Sequence, residues 1–282
     1  MGALLLLAGS VEAQNLNTSA RQLPQGSLKV SAYYQGEQDQ ALNFNVNNSG
    51  SCSSPNGSVG FGCDQSGSVE AKGHGGQGLV KMVYQPWDSF QYYAVGGLGS
   101  YSLNVPSTTI TNQLTGDTPG WILGAGVKAV LAADTQFTPA IAVDASLTHS
   151  QYAFNRRFPG GGSPTQNNDV NQQLGLWQYQ VAIEASHLFT IVDAVTKQEQ
   201  KETGLALVNP SIKLEPYGGV KWTRTQADLH DLQDGSHAGG QQDTISPFVG
   251  LRIPAYDHEA FFAEASFVDG YVYSGGMEIR FK

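Results

Sequence analysis

Alternation with a period of two runs through most of this chain, and it restricts the fold more than any other feature. Residues 175–186 place Trp177, Tyr179, Val181 and Ile183 on one face and Gln178, Gln180, Glu184 and Ser186 on the other. Residues 119–131 set Trp121, Leu123, Ala125, Val127, Ala129 and Leu131 against Gly124, Gly126 and Lys128. Residues 140–150 set Ile141, Val143, Ala145 and Leu147 against Asp144, Ser146, Thr148 and Ser150. The pattern recurs at 27–35, 212–223 and 271–281, and more loosely at 78–85, 89–101, 244–253 and 259–268. Ten strands, each with one apolar and one polar face, are expected. Strand ends read this way drift by a few residues, so eight or twelve strands also fit. Pro216 and Pro247 fall inside two of these strands, where the missing N–H predicts a bend or a bulge.

Composition narrows the class. Charged residues are 14% of the chain, against about 25% in soluble domains, and helices need such residues to cover their exposed faces. No stretch approaches the roughly 18 apolar residues of a transmembrane helix. The 12 Tyr, 12 Phe and 4 Trp argue against disorder. The net charge is −9 and the basic residues do not cluster beyond Arg156-Arg157, so nucleic acid is not an expected partner.

The connections alternate in length. Long polar loops are expected at 37–76, 104–118, 153–172 and 227–242, and tight turns at 86–88, 132–135, 256–258 and Asp269-Gly270. The 189–210 segment breaks this rule on the short-turn side, and Asp193 to Glu202 within it has helical character. Tight turns at one end and long loops at the other suit an antiparallel up-and-down transmembrane β-barrel. Such a barrel turns its apolar face outward. The aromatics agree, with Trp121, Trp177, Trp222 and Tyr271 at the long-loop ends and Phe90, Phe137, Phe261 and Phe281 at the short-turn ends. The opposite face would then line the lumen with Lys29, Lys81, Lys128, Lys213, Lys221, Arg252 and Arg280 against Asp144, Glu184, Glu215, Glu264 and Glu278. Twelve ionisable side chains in a lumen this narrow would largely plug it, and burial requires that they pair.

Residues 1–14 contain the apolar run Ala3 to Ala8 followed by Val11-Glu12-Ala13, a small-x-small pattern that reads as a truncated secretory signal. Residues 15–282 then form the barrel. Cys52 and Cys63 enclose ten flexible polar residues and are expected to form a disulfide in an oxidising compartment.

The ending Tyr271-Val-Tyr-Ser-Gly-Gly-Met-Glu-Ile-Arg-Phe281-Lys282 resembles the closing strand of bacterial outer-membrane β-barrels, in particular the small opacity-protein-like and porin-like members with eight to ten strands. That resemblance implies a location in the bacterial outer membrane. It also implies recognition of the last strand, ending at Phe281, by the barrel-assembly machinery. The implied roles are structural or adhesive, through long loops that meet surface or host ligands, or those of a small-solute porin; no enzyme activity and no cofactor are expected. A second reading starts from Asp228-Leu229-His230, which is similar to the Asp-x-His pair of the omptin proteases, also ten-stranded barrels, in which the carboxylate orients an imidazole toward water. Omptins add two acids on the second long loop, where this sequence offers Asp117 alone. Asp228, His230, Asp234, His237 and Asp243 are also metal-ligand types, in no standard spacing and beside a stretch, Gly239 to Gln242, that reads as loose loop. A secreted lipocalin-like carrier and a subunit of an extracellular surface assembly remain further readings.

Overall fold

The computed structural model describes residues 19–281, apart from 47–66, 107–110, 160–167, 192–211, 234, 236, 256–257 and 268–269. Twelve strands follow in order: β1 (Leu28–Val46), β2 (Gly67–Trp87), β3 (Phe90–Pro106), β4 (Thr111–Thr115), β5 (Gly120–Ala132), β6 (Ala140–Pro159), β7 (Asn168–Ser186), β8 (Phe189–Ile191), β9 (Ile212–Asp231), β10 (His237–Pro254), β11 (Glu259–Phe267) and β12 (Tyr271–Phe281). β4 and β5 share one position between β3 and β6. β8 prolongs β7 along β9. The ring therefore has ten positions, all pairings are antiparallel, and β12 closes on β1 from Leu28↔Phe281 to Gln38↔Tyr271. The chain is all-β, a closed ten-stranded barrel with no helix among the described residues.

The lower part of the barrel is inverted relative to a soluble one. Leu123, Ile183, Val220 and Ile245 are exposed on the outside, while Lys128, Lys221 and Asp144 are buried inside. On β7 the outward apolar stripe runs from Trp177 to Ala185. At about 3.3 Å per residue and a tilt of about 40°, it covers roughly 20–25 Å, the height of a lipid-facing band.

The strands outrun that band. β2 has 21 residues, β9 has 20 and β7 has 19, about twice the 9–11 that a bilayer requires. Much of the four expected long loops is therefore strand. Along these upper halves the polarity of the two faces swaps. Leu42, Phe44, Leu103, Leu114, Phe154 and Leu174 point inward and are buried, whereas Glu70, Lys72, Arg156 and Gln241 face outward. The swap occurs just above the tryptophan girdle, where the surroundings change from lipid to water. There the hydrophobic effect again drives apolar side chains to the inside.

The ring also changes its strand number. The β11–β12 hairpin ends at its Phe267↔Tyr271 pair, and above it β1 pairs directly with β10 through Phe44↔Gly240 and Asn45↔Gly239. Eight positions remain at this level. A Cβ on Gly240 would lie 3.0 Å from the Asn43 carbonyl carbon and nearer still to its oxygen. Only glycine allows the two backbones to meet there, so the expected loose loop at Gly239 to Gln242 is instead a ladder segment at the seam.

Neither proline distorts its strand. The β9–β10 register is continuous through Pro216↔Leu251 and Pro247↔Val220. Pro216 stands one residue beyond the β7 ladder, which begins at Tyr217, and Pro247 one residue beyond the β11 ladder, which begins at Phe248. Each proline thus sits where a neighbouring strand has ended, and its missing donor leaves the ladder intact. Phe189–Ile191 is strand, and the expected helix at Asp193 to Glu202 lies outside the described residues.

Candidate functional site

The alternation that makes each strand two-faced brings its inward side chains together at three levels of the lumen. At the short-turn end, the segment before β1 folds into the barrel mouth. Ala20 is buried against Val130, Ala140 and Ala142. Lys128 Nζ donates to the Ser19 carbonyl oxygen at 3.2 Å, and Gln91 Nε2 to that of Arg21 at 3.3 Å. The Leu23 N–H donates to Gln85 Oε1 at 2.8 Å. Beside this strap lies a cavity of about 720 Å³, lined in part by Lys29, Lys213, Arg252, Arg280 and Glu278.

The middle level is a lattice of charges. Glu278 accepts from Lys29 at 3.0 Å and from Arg252, which also donates to Glu215 at 2.8 Å. Lys128 pairs with Glu184. Tyr93 donates to Asp144 at 2.6 Å, and Lys81 lies over the Tyr93 ring at 3.8 Å. Tyr217 donates to Glu264 at 3.2 Å, and Lys221 interacts electrostatically with Glu264 and Glu37. The structure buries Lys29, Lys81, Lys128, Asp144, Glu184, Glu215, Lys221, Glu264 and Glu278; Arg252 and Arg280 are half-buried, and Lys213 is exposed at the mouth. Sequence reasoning missed Glu37, which accepts from Gln35 and Gln77, each at 2.8 Å. It also missed Tyr93 and Tyr217. Their signal was parity, since Tyr217 falls in step with Glu215 and Lys221, and Tyr93 falls out of step with the outward Phe90.

The upper level is apolar. Leu42, Phe44, Leu103, Val105, Leu114 and Phe154 belong to one buried cluster that spans the lumen. Tyr101 and Tyr152 stack with centroids 5.0 Å apart at its lower edge, and the Tyr101 hydroxyl donates to Gln40 at 2.7 Å.

The remaining candidates are outside. Asp228 and His230 are exposed on the outer face of β9 rather than in a loop over the mouth. His230 stands opposite His237 of β10. Asp117 binds Arg156 at 2.7 Å at the β4–β5 break, with β6 and β7 between it and β9. Among the described residues, Asp117 and the Asp228–His230 pair therefore do not meet. Asp243 accepts two hydrogen bonds from Arg224, at 2.7 and 2.8 Å, which hold its carboxyl below the ordinary carboxylate value. Among the described residues no three His, Cys, Asp or Glu side chains gather as a metal site. Asp234, Cys52, Cys63 and residues 1–14 lie outside the described residues. The girdle residues Trp121, Trp177, Trp222 and Tyr271, like Phe90, Phe137, Phe261 and Phe281, are all exposed on the exterior.

No protein-family model and no curated protein matches the sequence. Among solved structures, the chain is similar to the translocator domain of the autotransporter NalP from Neisseria meningitidis, at 11% identity and TM-score 0.46, over 92% of this chain and 89% of that one. It is similar to the outer-membrane protein OprG from Pseudomonas aeruginosa, at 8% identity and TM-score 0.41, over 94% and 99%. It is also similar to the outer-membrane protease OmpT from Escherichia coli, at 8% identity and TM-score 0.42, over 93% and 100%. The chain is a closed ten-stranded antiparallel β-barrel with an exposed apolar band outside and a charged lumen inside, the architecture of a transmembrane barrel.

Proposed function

We propose that this barrel is a closed membrane anchor that holds a stiff polar collar outside the cell, and that it acts as a structural or adhesive surface protein. One observation carries the reading: the apolar cluster of the upper level fills the lumen from wall to wall. A water-filled pore needs a polar lining along its whole length, and here the cluster interrupts it between the charge lattice below and Asn112, Gln172 and Asp231 above. The collar's outer face, with Glu70, Lys72, Arg156, Gln173 and Gln241, is the wetted surface that a partner would meet. The small-solute porin reading has less support because of the cluster, and the omptin-like reading because Asp228 and His230 face away from the mouth. In this proposal the short turns face the periplasm, and the last strand, ending at Phe281, is the segment read during assembly. Planar-bilayer recording tests the reading. Purified protein should insert without a stable conductance, and large, stable, voltage-independent steps would overturn it.

A further inference from the structure

The chain as a whole is acidic, with a net charge of −9. The cavity at the short-turn end has the opposite sign. Its lining contains Arg21, Lys29, Lys213, Arg252 and Arg280, against the carboxylates Glu259 and Glu278. These cations come from the strap, β1, β9, β10 and β12, so the fold itself gathers them from separate parts of the sequence. The carboxylate of the lattice that bridges Lys29 and Arg252 is Glu278, at the cavity's inner wall. Low-dielectric barrel walls around a surplus of positive charge concentrate the field within the cavity.

We propose that this cavity binds a small oxyanion of the phosphate class. Arg21 and Arg280 carry planar forks of the kind that hold tetrahedral oxyanions with paired hydrogen bonds, Arg252 is shared between Glu278 and Glu215, and Lys213 supplies a charge at the rim. Above the cavity the lumen is filled by the charge lattice and then by the apolar cluster, so the anion enters and leaves on the same side. The site is a receptor rather than a stage in a conduction path. The side of access rests on the orientation given under Proposed function; binding itself does not.

The test is isothermal titration of inorganic phosphate into the full chain, in zwitterionic detergent and in nanodiscs of phosphatidylcholine. Saturable binding is expected, weakened at least tenfold in the Arg280→Gln, Lys213→Gln double variant and unchanged in Lys72→Gln on the outer wall. The variants leave Lys29 and Arg252 with their carboxylates, and the heat-dependent gel shift checks that they fold. A titration in phosphatidylglycerol nanodiscs separates two sources of the ligand. Loss of phosphate binding there assigns the site to a lipid headgroup, and unchanged binding assigns it to a free anion. No saturable binding by the folded wild type in detergent or phosphatidylcholine overturns the proposal, as does equal affinity in the double variant. Because this measurement needs no conductance, its outcome stands apart from the bilayer recording.

Discussion

The Lys128–Glu184 pair offers the sharpest test of the lumen. Both side chains are essentially removed from water, at 1% and 0% exposure. Removing one partner strands a buried charge, at a cost of about 3–5 kcal/mol, whereas replacing both with apolar groups of similar volume is close to neutral. Glu184→Leu should therefore destabilise by about 3–5 kcal/mol. Lys128→Met should cost about 1 kcal/mol more, because it also removes the donor to the Ser19 carbonyl. The double variant Lys128→Met, Glu184→Leu should fall within about 2 kcal/mol of wild type, which leaves a coupling energy of several kcal/mol. The measurement is reversible urea unfolding in lipid vesicles, followed by tryptophan fluorescence, for all four members of the cycle. At 1 M salt, where exposed charges are screened within about 3 Å, the coupling should persist. Single variants that each lie within about 1 kcal/mol of wild type, or a coupling that disappears in salt, would refute the buried-lattice argument.

Three other outcomes follow from the same structure. Val181→Arg, at the centre of the lipid-facing band, should cost about 2–4 kcal/mol, while Gln173→Arg, two turns of the pleat above Trp177 on the same face of β7, should be nearly neutral in the same unfolding assay. Gly240→Val should cost about 1–3 kcal/mol by overpacking and should open the β1–β10 seam to protease while the gel shift survives. The Arg224–Asp243 contact should follow the acid limb: a carboxyl held below its ordinary 3.8 gives stability that is present above that value and lost as pH falls further. Hydrogen exchange in the upper β9–β10 ladder should therefore rise on acidification in wild type and stay flat in Asp243→Asn.

The lower barrel was legible because its two faces differ in polarity along unbroken runs, as at Trp177, Tyr179, Val181 and Ile183. The upper barrel was not, because its polarity swaps within the same strands. Leu174 and Leu176 have the parity of Gln178 and Glu184, so the run Leu174-Gly175-Leu176-Trp177 shows apolar residues on both faces and the period dissolves. The Gly- and Gln-rich stretch 73–78 reads as loop for the same reason, yet it pairs continuously with β3. The expected lumen charges could be named from parity alone. Their partners could not, since Lys128 and Glu184 are 56 residues apart and meet only through register. The strap from Ser19 to Gln25 has no periodicity, and nothing in its residues foretells that it folds back into the mouth.

The loss of two strands at the collar gives the barrel a taper. Barrel diameter grows roughly linearly with strand number, so the eight-position end is about one-fifth narrower than the ten-position end. Its cross-section is smaller by roughly a third. A body of this shape is directional with respect to a sheet of lipid. When it enters from the wide-end side, its slender polar tip opens the smallest hole, and the greasy, broader girth fills that hole last. Once seated, the shoulder where ten positions become eight lies just above the aromatic girdle, so the collar stands narrower than the section that lipid surrounds.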